Sequence, residues 1–447
     1  CTSIREGVYF AFDLFNFWAA VWQAPTAGVR HLMRPTASSI TQWRLFSCRR
    51  APAEPGPEAV VKLARRLWCI RRVLMFLMTP VVRMEAVGHE TFPRSGPVLL
   101  VSNHVGFVDP AVIILSANRP ISFLATPSLL DEGLLARLMQ WFGIIPKKKF
   151  IVDTSAIRRM KGWIKSGGAV GLFPEAVRCW DGTTAPLMPG TERLVKMLRV
   201  PVVTVRLRNA YQQWPRWAER ARRGKIRVEF DPPKEFPKGT PDEEIMAYLT
   251  ERLSVRHYDE PTYPVRGSKL ARGLTNIVWA CVECEAFAQM SEDDDHVWCE
   301  ACGARWRVDS TTDLVREGTG TRTRLDIILE TILEGLRGRG MLPVPARVER
   351  DGVLLESEPM DLIERTDDAP LPVASGRLRL EKELLSVRGT DDEIVWSIPL
   401  EEIRVVTVDM RRRLQFRTTE RLYEAMMPTE SVVKWEIVAK YWAPEAN

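Results

Sequence analysis

The chain has 447 residues, too many for one ordinary core, and its 45% hydrophobic and 27% charged content excludes global disorder. Its net charge of +6 is uneven: residues 1–270 carry 40 Lys and Arg against 23 Asp and Glu, net +17, and residues 271–447 carry net −11. A boundary near residue 270 is expected, with an anionic partner for the first part: phospholipid, phosphorylated substrate or nucleic acid.

In chain order, residues 1–65 read as an amphipathic and loop-rich region. Within it residues 8–22 (VYFAFDLFNFWAAVW) are dense in aromatics, and 23–60 carry Pro and Ala throughout. Residues 67–84 (LWCIRRVLMFLMTPVVRM) mix apolar residues with Arg71, Arg72 and Pro80. No uninterrupted apolar run reaches the roughly 18–20 residues of a spanning helix. Both segments suit helices lying in a membrane interface, with a core-docking amphipathic helix as the alternative. From residue 86 strands and helices alternate. Strands are expected at 97–102, 121–125, 169–173, 201–207 and 226–230, and helices from Asp109-Pro110 and at 128–142, 154–166, 191–199 and 241–254. The alternation predicts an α/β domain with a mixed sheet flanked by helices.

The window Asn103-His104-Val105-Gly106-Phe107-Val108-Asp109-Pro110 follows the apolar run PVLLVS, which reads as a strand buried on both faces. A turn through Gly106 lets the Asp109 carboxylate fold back on the His104 imidazole. That would fix the tautomer, so that the other ring nitrogen takes a proton from an attacking hydroxyl. The substrate's own hydroxyl would then be the nucleophile, with no acyl-enzyme. The competing reading makes Asp109 an N-cap and His104 a turn residue.

This window resembles the NHxxxxD block of the glycerol-3-phosphate and lysophosphatidate acyltransferases. Gly143-Ile144-Ile145-Pro146-Lys147-Lys148-Lys149, Phe173-Pro174-Glu175-Ala176-Val177-Arg178 and Val200-Pro201-Val202-Val203-Thr204-Val205 resemble the blocks that follow, in the same order. The resemblance spans 66–256. It implies His104 as general base, Asp109 as its orienting partner, and Lys149, Glu175, Ala176 and Arg178 at the acceptor. It also implies an acyl thioester donor, on coenzyme A or acyl carrier protein, and monotopic attachment at the cytoplasmic face of a membrane. Two residues depart from the pattern. Lys149 stands for an arginine, losing the bidentate fork for phosphate. Ala176 stands for a glycine, which is costly if φ is positive there. Both departures also suit a catalytically degenerate lipid-binding scaffold.

Of eight cysteines, Cys1, Cys48, Cys69 and Cys179 are scattered, which argues against a disulfide framework and for a reducing compartment. A leading Cys would also fit a processed lipoprotein, although no signal segment accompanies it. Cys281-x2-Cys284 and Cys299-x2-Cys302, fourteen residues apart, predict a zinc ribbon over 278–308. Four thiolates leave no open position, so the zinc would be structural; no redox cofactor is expected, and His296 is a substitute ligand at most. The acidic run Glu292-Asp293-Asp294-Asp295 opposes phosphate contact, so nucleic acid is not expected and a protein contact through the acidic half is. After a helical stretch at 320–342, residues 344–442 predict short strands and a closing helix, resembling a pleckstrin-homology-like or GRAM-like barrel. Arg411-Arg412-Arg413 reads as a solvated hairpin turn, with headgroup binding as the alternative.

Overall fold

In the computed structural model the described residues are 82–117, 119–125, 143–147, 153–259, 263–338, 352–366, 370–409, 411–427 and 430–442, with residues 58, 62, 63 and 66. The expected interfacial segment 8–22, residues 67–81 of the second one, the expected helix 128–142 and Lys149 lie outside them. The chain forms two compact units. Unit 1 comprises residues 1–179, 183–214 and 220–265; unit 2 comprises 180–182, 215–219 and 266–447.

Unit 1 is built on a seven-stranded sheet in the order β1-β7-β6-β2-β5-β3-β4. The strands are β1 (Val82–Val87), β2 (Val98–Ser102), β3 (Ile121–Ala125), β4 (Ile145–Pro146), β5 (Ala169–Leu172), β6 (Val202–Arg208) and β7 (Gly224–Phe230). All pairings are parallel except β6 with β7. β2 lies in the middle of the sheet and every one of its residues is buried, as its unbroken apolar run requires. Helix α1 (Asp109–Ala117) packs on the face of β1 and β7. On the opposite face α2 (Thr154–Lys165), α3 (Thr191–Leu198) and α5 (Asp242–Leu253) close a core of Leu99, Val101, Met160, Val195, Ile245 and Leu249. A short turn of helix, α4 (Ala210–Gln213), follows β6. The sequence predicts one amphipathic stretch over 67–84. Its last three residues instead begin β1, an edge strand whose Glu85 pairs with Lys225 of β7.

Local chemistry sets the helix ends. Asp153 caps α2 by accepting from the Ser155 and Ala156 amides, both at 3.0 Å. Arg199, expected inside its helix, is the left-handed residue that ends α3.

Unit 2 opens with a five-stranded antiparallel sheet: β8 (Met290–Glu292), β9 (His296–Cys299), β10 (Arg305–Val308), β11 (Leu314–Arg316) and β12 (Arg322–Thr323). This small sheet therefore runs past residue 308. After α6 (Leu325–Gly338) comes a second seven-stranded sheet, from β13 (Val353–Arg365), β14 (Pro370–Glu381), β15 (Leu384–Arg388), β16 (Ile394–Pro399), β17 (Val405–Asp409), β18 (Arg413–Arg417) and β19 (Leu422–Met426). Its order is β16-β15-β14-β13-β19-β18-β17, all antiparallel, and α7 (Val432–Trp442) packs on β17 and β18 with Trp435 fully buried.

Two sequence expectations change here. The Arg411–Arg413 segment is the expected hairpin turn, between β17 and β18, but its arginines are engaged rather than simply solvated: Arg411 donates to the Ala218 carbonyl at 2.5 Å, Arg412 meets Glu219 at 3.2 Å and Arg413 is buried. The acidic run 292–295 is largely spent inside the unit. Glu292 accepts from the Gly273 and Thr275 amides, Asp293 pairs with Arg305, and Asp294 pairs with Arg272 and Lys269.

Candidate active site

Four of the five strands that share one direction, β2, β3, β4 and β5, end at a common edge with β6 beside them, and the segments leaving that edge carry the residues singled out by the sequence. Carboxyl ends of parallel strands are where α/β sheets bind ligands, because the chain must turn there and expose its backbone amides. Asn103 fixes the exit from β2. Its side-chain oxygen accepts from the Leu207 amide at 2.7 Å and its amide donates to the Leu207 carbonyl at 3.2 Å. Both ends of the side-chain amide thus continue the β2–β6 pairing one step beyond its last backbone partners.

The turn that follows is organised around one carboxylate oxygen. Asp109 Oδ2 accepts from the Val105 amide at 2.7 Å and the Gly106 amide at 2.8 Å, and lies 2.9 Å from His104 Nδ1. Asp109 is the first residue of α1 rather than a cap preceding it, and its side chain is fully buried. The imidazole, by contrast, keeps 21% of its surface accessible. A buried carboxylate held by two amides stays oriented, and its bond to Nδ1 sets the tautomer that leaves proton uptake to Nε2. A side chain at Gly106 would place its Cβ 3.2 Å from Asp109 Oδ1, so glycine keeps this turn uncrowded.

The segment leaving β5 closes over the same turn. Glu175 is 2% exposed; Oε1 accepts from the His104 amide at 2.7 Å and Oε2 from the Ala185 amide at 2.8 Å. Burial pushes its carboxyl up to about 8 against the pull of the two backbone donors, and the nearby Asp109 charge adds to the rise. Both oxygens are directed at the backbone. Glu175 therefore ties the His104 turn to the loop at Ala185. Ala176 has φ of 59°, the left-handed conformation foreseen as costly for alanine. Arg178 is half-buried in the same loop, and the next amide, Cys179 N, donates to the His104 carbonyl at 3.2 Å. Lys147, which follows β4, donates its backbone amide to the Ala125 carbonyl at 2.8 Å, and burial lowers its ammonium pKa.

Sequence reasoning placed Phe173 at the head of a resembling block but gave it no role. Its ring stacks on the His104 imidazole with centroids 4.1 Å apart and planes 16° apart. An aromatic residue at the end of a buried strand gave no signal of its own beyond core packing.

In unit 2 the four expected cysteines converge. Their sulfurs lie within 4.8 Å of one another, with Cys281–Cys302 at 3.8 Å and Cys284–Cys299 at 3.7 Å. The two knuckles repeat one geometry. The amide of each leading Cys donates to the carbonyl five residues on (Ala286, Ala304), and the amide four residues on (Glu285, Gly303) donates back to that Cys, with a left-handed residue at that fourth position. His296 stands outside the cluster, bonded to Asp293 at 3.1 Å.

Comparison with known proteins adds to this geometry. Residues 83–208 match the family model described as Acyltransferase, a stretch that contains His104, Asp109, Glu175, Ala176 and Arg178. The 1-acyl-sn-glycerol-3-phosphate acyltransferase of Borreliella burgdorferi is 24% identical over 130 residues, 29% of this chain and 52% of that protein. The probable 1-acyl-sn-glycerol-3-phosphate acyltransferase of Mycoplasma genitalium is 28% identical over 142 residues, 30% of this chain and 52% of that protein. The chain thus spans about half the length of the curated relatives it matches. Among solved structures, the 1-acyl-sn-glycerophosphate acyltransferase PlsC of Thermotoga maritima is similar at 22% identity and a TM-score of 0.37, over 41% of this chain and 75% of that one.

Proposed function

We propose that this chain is a membrane-associated O-acyltransferase that moves a fatty acyl group from an acyl thioester, acyl-CoA or acyl carrier protein, to a hydroxyl of a lysophospholipid or glycerol-phosphate-like acceptor. The observation that carries the proposal is the His104–Asp109 pair at the carboxyl edge of the sheet, inside the stretch that matches the acyltransferase family. The acceptor hydroxyl gives its proton to His104 Nε2 as its oxygen attacks the thioester carbonyl. Asp109 stabilises the imidazolium that forms. When the tetrahedral intermediate collapses, the carbon–sulfur bond breaks and the imidazolium returns the proton to the departing thiolate. The products are an ester and a free thiol, and no covalent enzyme intermediate is needed.

Arg178, Lys149 and Lys147 are the cations proposed to meet the acceptor's phosphate, and the net +17 of residues 1–270 suits an anionic donor and an anionic lipid surface. Arg158, Lys161 and Lys165 line the exposed face of α2 and support the same preference. Among the described residues no helix is long and apolar enough to cross a membrane. Attachment is proposed to run through residues 8–22 and 67–84 on the strength of their aromatic and basic composition. Glu175, with both oxygens on backbone amides, is proposed to serve the acceptor through the His104 turn it holds.

The four cysteines are proposed to hold a structural zinc ion. Zinc–thiolate bonds of about 2.3 Å in a tetrahedron separate sulfurs by about 3.8 Å, and two opposed pairs of the cluster already stand at that spacing. The strand order and the capping α7 support the pleckstrin-homology-like reading of residues 344–442. Thioester release measured against a panel of phosphate-bearing and phosphate-free acceptors tests the enzymatic reading. A lipid-binding scaffold would release no thiol with any of them.

A further inference from the structure

We propose that Phe173 is a positioning residue for the general base, setting the plane of the His104 imidazole, and that Phe123 seated over Gly171 holds Phe173 in place. The kinetic part rests on the acyl-transfer reading; the spectroscopic part does not. Three rings form a continuous stack: His104 on Phe173 at 4.1 Å and 16°, and Phe173 on Phe123 at 5.2 Å and 17°. The third ring is fixed by the sheet. Phe123 on β3 is the register partner of Gly171 on β5, and it is 1% exposed. A Cβ at position 171 would lie 2.4 to 2.7 Å from three atoms of the Phe123 ring, so only glycine lets that ring lie across the strand.

The stack supplies what the Asp109 bond alone leaves undetermined. A hydrogen bond at Nδ1 fixes one point of the imidazole and leaves the ring able to pivot about that contact. A face contact fixes its plane, and with it the direction in which Nε2 points. Hydroxyl and base must align within a few tenths of an ångström for proton transfer, so loss of the plane costs rate rather than binding. The π face is also electron-rich, so it holds the imidazolium better than the imidazole. The contact therefore strengthens as His104 takes the proton.

The test uses the full-length protein with 13C-labelled histidine, the His104 signals being assigned with His104→Ala. In the wild type the His104 ring protons should be displaced upfield by the Phe173 ring current. In Phe173→Leu that displacement should vanish and the His104 titration should move about half a unit to lower pH. Phe173→Tyr, which keeps a π face, should retain both signatures. Gly171→Ala, which pushes the Phe123 ring aside, should weaken them with Phe173 itself intact. In the thioester assay Phe173→Leu should lower kcat about tenfold with KM within twofold, and move the acidic limb of the kcat/KM profile by the same half unit. His104 protons without upfield displacement in the wild type overturn the proposal before any variant is made. So does an unchanged titration in folded Phe173→Leu. Intact spectroscopic signatures with no turnover in the wild type would count against acyl transfer and leave the stack standing.

Discussion

At the scale of single residues the strain at Ala176 is the clearest departure from the expected pattern. A left-handed alanine presses its Cβ toward the following carbonyl, a cost of about 1–2 kcal/mol, part of which glycine would return as unfolded-chain entropy. Ala176→Gly is therefore expected to raise unfolding stability by about 0.5–1 kcal/mol in urea titration. Unchanged stability would mean that the loop relaxes around residue 176. The sequence made this position visible because the resemblance placed a glycine there. It left the stacking role of Phe173 invisible, because stacking depends on ring orientation and on an absent Cβ two residues earlier, and neither leaves a spacing pattern. The resemblance placed Glu175 at the acceptor but did not reveal the bonds from the His104 and Ala185 amides that tie its two oxygens to the backbone.

At the scale of elements, Glu175 joins the exits of β2 and β5, and that junction should respond to pH. Its folded-state pKa, about 8, lies above the ordinary 4.5. The folded protein therefore holds a proton there that the unfolded chain releases above about 4.5, and stability should fall as pH rises from there toward 8 and then level off. The slope from this one group is at most about 1.4 kcal/mol per pH unit. Glu175→Gln should flatten it, measured as denaturation midpoints at pH 5, 6.5 and 8; an unaltered slope would refute the assignment. Elements with strong local signals were legible. The apolar run gave β2, the alternation of strands and helices gave α2 and α5, and the closing helix expected within 344–442 is α7. Elements stabilised by distant partners were not. β1 alternates charged Arg83 and Glu85 with apolar residues and pairs with β7, far along the chain. β13 contains Pro359 and several acidic residues and is held by β14 and β19 through shifts of register. The helix expected from Asp109-Pro110 begins at Asp109, whose Oδ2 also gathers the three donors of the preceding turn.

At the scale of the whole molecule, the proposed acyl-transfer site lies in unit 1 and the proposed zinc site in unit 2. The proposed zinc ion would join the turns at Cys281–Cys284 and Cys299–Cys302, so its binding should contribute folding energy directly. About one zinc per chain is expected by elemental analysis, and a strong chelator should lower the melting temperature of unit 2 while leaving the unfolding of unit 1 in place. Stoichiometry near zero in protein prepared without chelator would count against the zinc assignment. The chemistry proposed for unit 1 rests on one hydrogen-bonded pair, and its most direct test compares wild type with His104→Ala in acyl-thioester release against lysophosphatidate and related acceptors. Wild type should release thiol and form ester in equal amounts only when acceptor is present. His104→Ala should lose at least about a hundredfold of that rate, in keeping with the contribution of a general base, while keeping its fold. Undiminished turnover in folded His104→Ala would contradict the assignment of His104 as the base.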